Sequence, residues 1–393
     1  MALRRAISIP EDIIAGEIVL RLPVKSVGRC RCVCKRWRFL FSDPDFAKSH
    51  IQSAPKQQRL VFHLGYEFHS QDLELGMQKS LVRVSPPPFK NPKHALSFVG
   101  SCNGLVACVS GASIQTCRPS REISLFIWNP LTGFYKEFLG QGFYSLMRGF
   151  GHVSRADDYK VVELLDHELV REIRVFSLSS QTWKSIKCPL NLTFTTLQVK
   201  GVFLNEALHW LAYETDRPDL DPRIAPVVLF VFDLAKEEFR KVQVPRGVVR
   251  CSMYDRRLGV SCEGCLYIMC FPKSGYRCRD ALRVEFWVMR EYGNISNIYS
   301  WNIISIRIPN EFTRYNLEPI LLMETCAVVM NRSKKSGRLV SQQGSNIRSN
   351  DREDIYMIHH HTQKENLKVY IVESDPPDMI VYEESIFSLL VSN

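Results

Sequence analysis

The chain has 393 residues, of which 45% are hydrophobic and 23% charged, the balance of a soluble globular protein with room for one large domain and a small one. No apolar run approaches the ~18 residues of a membrane-spanning helix. The formal net charge is +10, and the segment from Met1 to Arg59 alone holds twelve Lys or Arg against five Asp or Glu. Aromatic residues for base stacking are sparse among those charges, so they read as solvent faces of short helices and not as a nucleic-acid site. Arg4 and Arg5 precede Pro10 with no apolar h-region between them, so no secretory signal is expected. The thirteen scattered cysteines then read as reduced thiols of a cytoplasmic or nuclear protein.

In chain order, residues 8–50 carry three short helical patterns, too few residues to bury a stable core alone. The segment is expected to borrow its core from a partner. Ser8 followed by Glu11 forms a capping box, and Pro10 suits the first turn of a helix. Ile9, Ile13, Ile14, Ile18 and Leu22 recur at helical spacing and give one apolar face. Gly16 interrupts that helix, and Pro23 ends it by excluding its predecessor from the α region. A second helical stretch runs from Val27 to Leu40, and Asp43 or Ser42 caps a last one that holds Phe46 and Ile51.

Ile9-Pro10-Glu11-Asp12, Leu22-Pro23-Val24-Lys25-Ser26, Arg31-Cys32-Val33-Cys34-Lys35-Arg36-Trp37 and Asp43-Pro44-Asp45-Phe46 resemble, in this order, the F-box of plant F-box proteins. Cys30 stands where that family commonly has a bulkier residue. The resemblance implies a helical module (residues 5–52) that docks a Skp-type adaptor and, through it, cullin and RING subunits of a ubiquitin ligase. The adaptor-facing residues it implies are Ile9, Pro10, Ile13, Ile14, Ile18, Leu22, Pro23, Val24, Val27, Cys32 and Trp37.

Residues 53–95, with the rigid Ser85-Pro86-Pro87-Pro88 run, read as a linker and partly structured entry into the second domain. From Leu96 to residue 391 the chain repeats a strand, a polar turn and a second strand with an aromatic. Copies begin at Ile127, Val175, Phe230, Glu285 and Ile355. Between them lie strands apolar on both faces, starting at Gly104, Ala207 and Cys265. A period of roughly fifty residues favours four-stranded propeller blades over a sandwich. Residues 331–354 are polar and basic, and a mobile loop is expected there. The fold class expected is therefore a small α-helical module followed by an all-β, propeller-like repeat domain.

Ser101-Cys102-Asn103-Gly104-Leu105, Trp128-Asn129-Pro130, Asp158-Tyr159-Lys160-Val161-Val162, Trp183-Lys184, Leu208-His209-Trp210 and Asp233-Leu234 look like blocks of the F-box-associated interaction domain of plant F-box proteins. That family is kelch-like in outline, although this chain has neither a Gly-Gly doublet nor a Trp-Asp dipeptide.

No phosphate-binding Gly-rich loop, Gly-x-Ser-x-Gly elbow or His-Glu-x-x-His motif is present. His359-His360-His361 reads as a polar turn, since neighbouring strand residues face opposite ways. Cys30, Cys32 and Cys34 lack zinc-finger spacing and read as buried thiols, and His209 reads as a packed strand residue. No catalytic residue, cofactor or metal is expected. The expected function is the substrate-recognition subunit of a Skp–cullin–F-box ubiquitin ligase, with an unknown target protein held by propeller loops. The alternative is a stand-alone propeller, scaffold or enzyme, with a vestigial F-box.

Overall fold

The computed structural model describes residues 10–64, 67–73, 82–88, 96–110, 123–140, 145–167, 170–187, 192–194, 200–214, 227–249, 256–270, 283–292, 301–307, 317–323, 326–334, 351–359, 367–373 and 378–387. The first helical stretch is irregular. Glu11–Ile13 is α-helical (α1), Ile14–Ile18 widens into a π-helical turn, and Val19–Arg21 tightens into a 3-10 turn. Gly16 lies in the π segment with nothing within 4 Å of where a Cβ would stand. As the sequence requires, Leu22 before the proline is extended, with ψ of 149°.

The stretch expected as one helix from Val27 to Leu40 is two: α2 at Val24–Cys30 and α3 at Lys35–Leu40. The chain breaks between them, and the Cys34 thiol accepts from the Trp37 N–H at 3.4 Å to start α3. Helix α4, Pro44–Ser53, is capped by Asp43, whose carboxylate accepts from the N–H groups of Asp45 and Phe46 at 2.8 and 3.3 Å. Rings of Trp37, Phe41, Phe46 and His50 step from α3 to α4 with centroid spacings of 5.4, 5.0 and 6.1 Å.

The β domain is six antiparallel sheets in a ring. Blade 1 joins both ends of the domain: β25 (Met379–Glu383) pairs with β1 (Gln58–Leu64), followed by β2 (Glu67–Asp72) and β3 (Val82–Val84). Blade 2 is β4 to β7 (Leu96–Cys102, Leu105–Ser110, Ser124–Trp128, Tyr135–Leu139), and blade 3 is β8 to β11 (Ser145–Val153, Asp158–His167, Val170–Ser177, Thr182–Lys187). Blade 4 divides its inner edge between β12 (Leu192–Phe194) and β13 (Val202–Leu204), both paired with β14 (Ala207–Glu214), then β15 (Val227–Asp233) and β16 (Glu238–Gln243). Blade 5 is β17 to β20 (Arg257–Val260, Leu266–Cys270, Arg283–Met289, Trp301–Arg307), and blade 6 is β21 to β24 (Leu317–Leu322, Cys326–Lys334, Asp351–His359, Leu367–Glu373). Inner strands of successive blades touch all the way round, from β25 to β4, β8, β13, β17 and β21 and back to β25.

Two sequence expectations change, and the blade number, which the repeats left open, is six among the described strands. Residues 58–84, read as linker, supply three strands of blade 1, because their inner neighbour comes from the far end of the chain. The five repeat copies are the outer hairpins of blades 2 to 6, and blade 1 makes a sixth. Residues 331–334 and 351–354 are strand ends of β22 and β23, so only residues 335–350, which lie outside the described residues, separate them.

The cores lie between blades. Leu164, Ile173 and Val175 of blade 3 pack with Trp210, Phe230 and Phe232 of blade 4, and Tyr267 and Phe286 of blade 5 pack with Leu322 of blade 6. Inner strands carry glycine where a neighbouring blade presses close: Gly149 lies under Leu208 and Trp210. The helices are not a separate body. Val19, Val24, Val27, Phe41 and Ala47 share one buried cluster with Leu105, Phe150, Tyr159, Ile386 and Phe387. The core expected from a partner thus comes in part from the chain's own propeller.

Candidate functional site

The helical module is held on the face of the ring where first strands turn into second ones. Lys48 of α4 pairs with Asp157 of the β8–β9 turn at 2.5 Å, and Lys25 of α2 lies 3.8 Å from Glu384, just past β25. The Lys48 ammonium is raised in pKa, first by its hydrogen bond to Asp157. His50 donates from Nε2 to the Leu22 carbonyl at 2.9 Å and ties α4 to the first helical stretch. Burial lowers the pKa of His50, against the opposing pull of its hydrogen bond to Leu22.

Ile9 lies outside the described residues. Pro10, Ile13, Ile18 and Cys32 are exposed, with Ile13 and Ile18 each 44% accessible. Ile14, Leu22, Pro23 and Trp37 are half-buried. Val24 and Val27 are buried, and both side chains serve the shared core of the module and the ring. Two exposed apolar residues are missing from the expected set: Val33 at 67% and Phe39 at 81% accessibility. In α3, Trp37 and Phe41 are four residues apart and share the inward side, whereas Phe39 falls out of phase with both. That phase was the available signal. Arg29, Lys35, Arg36 and Arg38 are exposed around it.

The expectation of buried thiols fails for this segment. Cys30 is half-buried, while Cys32 and Cys34 are exposed, because the run spans the break between α2 and α3. Among the described residues no group of His, Cys, Asp or Glu could hold a metal ion, and no helix is long and apolar enough to cross a membrane. His359 ends β23, and His360 and His361 lie outside the described residues.

The opposite face of the ring receives the ends of the second strands and the connections between blades. Charged groups near it are engaged structurally. Lys200 pairs with Asp378 and donates to the Met379 carbonyl at 2.9 Å, and Asp378 also accepts from the Phe98 N–H at 2.6 Å. Buried Arg148 lies 3.1 Å from Glu163, whose pKa is raised by burial against the opposing charge of Arg148. Arg256 donates to the carbonyls of Val248 and Val249.

His209 is a satisfied core residue, as its place in a strand suggested. A carbonyl only accepts, so Nδ1 donates to Val202 O at 3.0 Å, and Nε2 accepts from the Tyr292 hydroxyl at 2.6 Å. The pair ties blade 4 to the segment after β19 in blade 5. Burial pushes the His209 pKa down to about 4.

Comparison with known proteins agrees with this geometry. Residues 8–49 match the F-box domain model, and residues 59–389 match the model of the F-box associated beta propeller domain. The chain is 27% identical to the F-box/kelch-repeat protein At3g23880 of Arabidopsis thaliana over 322 residues, covering 76% of this chain and 79% of that one. It is 29% identical to the F-box protein CPR1 of the same plant over 316 residues, covering 72% and 70% respectively. With a helical module seated on a closed ring and a family model that spans that ring from blade 1 back to blade 1, this chain belongs to the F-box proteins that carry an F-box associated beta propeller domain.

Proposed function

We propose that the chain is the substrate-recognition subunit of a Skp–cullin–F-box ubiquitin ligase. Its F-box would dock a Skp-type adaptor, and the ring face opposite the helices would hold a target protein. The observation that carries this reading is the set of apolar side chains the propeller leaves uncovered on the module: Ile13, Ile18, Val33 and Phe39. Side chains of this size in water favour a partner that removes them from it. The surrounding Arg and Lys residues complement an adaptor with acidic groups at the rim of that contact. The chain makes and breaks no bond in this role; it supplies proximity and orientation of the target lysine.

The test is co-purification of the full chain with the adaptor. Burying one Ile or Phe side chain is worth about 1.5–3 kcal/mol, so Ile13→Ser with Ile18→Ser, and separately Phe39→Ser, should each weaken adaptor binding at least roughly tenfold. These residues are exposed, so folding should be unaffected. Wild-type affinity in both variants would overturn this docking face, and failure of the wild-type chain to co-purify with the adaptor would leave the propeller acting without a ligase.

A further inference from the structure

Ring closure is complete at Glu383, which pairs with Gln58, yet the next four residues, 384–387, are almost as deeply buried as the strands. The Glu384 carboxylate lies 3.1 Å from Arg59 Nε and 3.8 Å from Lys25 Nζ of α2, and its N–H donates to the Gln57 carbonyl at 3.0 Å, between α4 and β1. The Ser385 hydroxyl donates to the Asn103 carbonyl at 2.9 Å. Asn129 is wholly buried and spends its side-chain amide here, donating from Nδ2 to the carbonyls of Ser385 at 3.0 Å and Phe387 at 2.8 Å. Ile386 and Phe387 then enter the buried cluster that holds Val19, Val24, Val27, Phe41 and Ala47 of the helices, and the Phe387 ring sits 5.9 Å from that of Tyr159 in blade 3.

We propose that residues 384–387 are a clasp that seats the F-box on the ring and fixes the angle between the helices and the opposite face. A segment needed only for closure would have no reason to reach α2. Among the described residues the one close ion pair from α4 to the ring, Lys48 with Asp157, is exposed, and such pairs contribute little. The clasp joins three bodies at once: the helices through the shared cluster, blade 1 through Arg59, and blade 2 through Asn129. Its consequence for target transfer rests on the receptor reading above, because a fixed angle matters only if both faces are occupied. The seating itself does not rest on that reading.

The experiment is amide hydrogen exchange on the full chain in two variants. Ile386→Ala with Phe387→Ala empties the apolar part of the clasp. Asn129→Asp keeps the acceptor for the Leu131 and Thr132 N–H groups but removes both donors to the tail. In each, exchange in α2 and α4 should rise at least tenfold while β14 and β15 keep wild-type protection. Unchanged exchange in the helices would overturn the clasp. An equal rise in helices and ring would also overturn it, because the tail would then serve ring stability alone. Adaptor binding should persist in both variants, since Ile13, Ile18, Val33 and Phe39 are untouched. Its absence in the wild type would sink the receptor reading and leave the exchange comparison standing.

Discussion

At Gly104 two demands meet in one residue. Its φ is +80°, and a Cβ there would run into the Ser385 hydroxyl. Gly133 has a similar φ of +74° but open space around it. Gly133→Ala should therefore cost about 1–2 kcal/mol of backbone strain, and Gly104→Ala that amount plus the displacement of Ser385. Urea unfolding of both variants should rank them in this order. His209 gives a pH signature. Its folded pKa of about 4 lies below the unfolded value near 6.5, so between those values the unfolded state binds the extra proton. Stability is intact above pH 6.5 and falls as pH drops toward 4, by on the order of 3 kcal/mol for this group. His209→Gln should be less stable at pH 7 yet show a flatter profile between pH 6.5 and 4.

Among the elements, α4 depends most visibly on one side chain. Asp43→Ala removes the acceptor for two N–H groups and should lower stability by about 1 kcal/mol, read as faster amide exchange at Asp45 and Phe46. The cap was legible to within one residue, as Ser42 or Asp43, because two cap-forming residues stand directly before Pro44. The outer hairpins were legible for a related reason. Asp233 accepts from the N–H groups of Ala235 and Lys236, and Asn129 from those of Leu131 and Thr132, so each turn writes its own local signature between two aromatic strands. Blade 1 left no such mark: its inner strand is β25, and nothing near Gln58 announces it. The face proposed for docking was only half legible. Helical spacing marks Val24, Val27, Ile13 and Ile18 alike as apolar, but spacing cannot say which of them meets the chain's own ring and which meets another protein. The π turn at Ile14–Ile18 rotates the face as well, turning Val19 inward and leaving Ile18 exposed.

For the molecule as a whole, the shared core changes what a truncation does. Removing residues 1–52 would uncover Phe387, Ile386, Leu105 and Tyr159, which now share a cluster with the helices. The remaining ring should keep a β-dominated circular dichroism spectrum but melt at a lower temperature and bind an apolar dye. A truncated chain as stable as the full one would mean that the helices lend the ring nothing. A helical spectrum would contradict the division into helices and blades.

The pairing of Arg59 with Tyr382 also has a consequence during synthesis. Blade 1 leaves the ribosome as β1, β2 and β3, with the inner edge of β1 unpaired until β25 has been made. An open strand edge is a template for other chains, and contacts so distant in sequence form slowly. The nascent protein therefore carries that open edge from β1 onward and covers it only when β25 has emerged. A chain that stops short of Met379 would keep that edge for life, so termination anywhere between β3 and β25 should expose it to quality control alike.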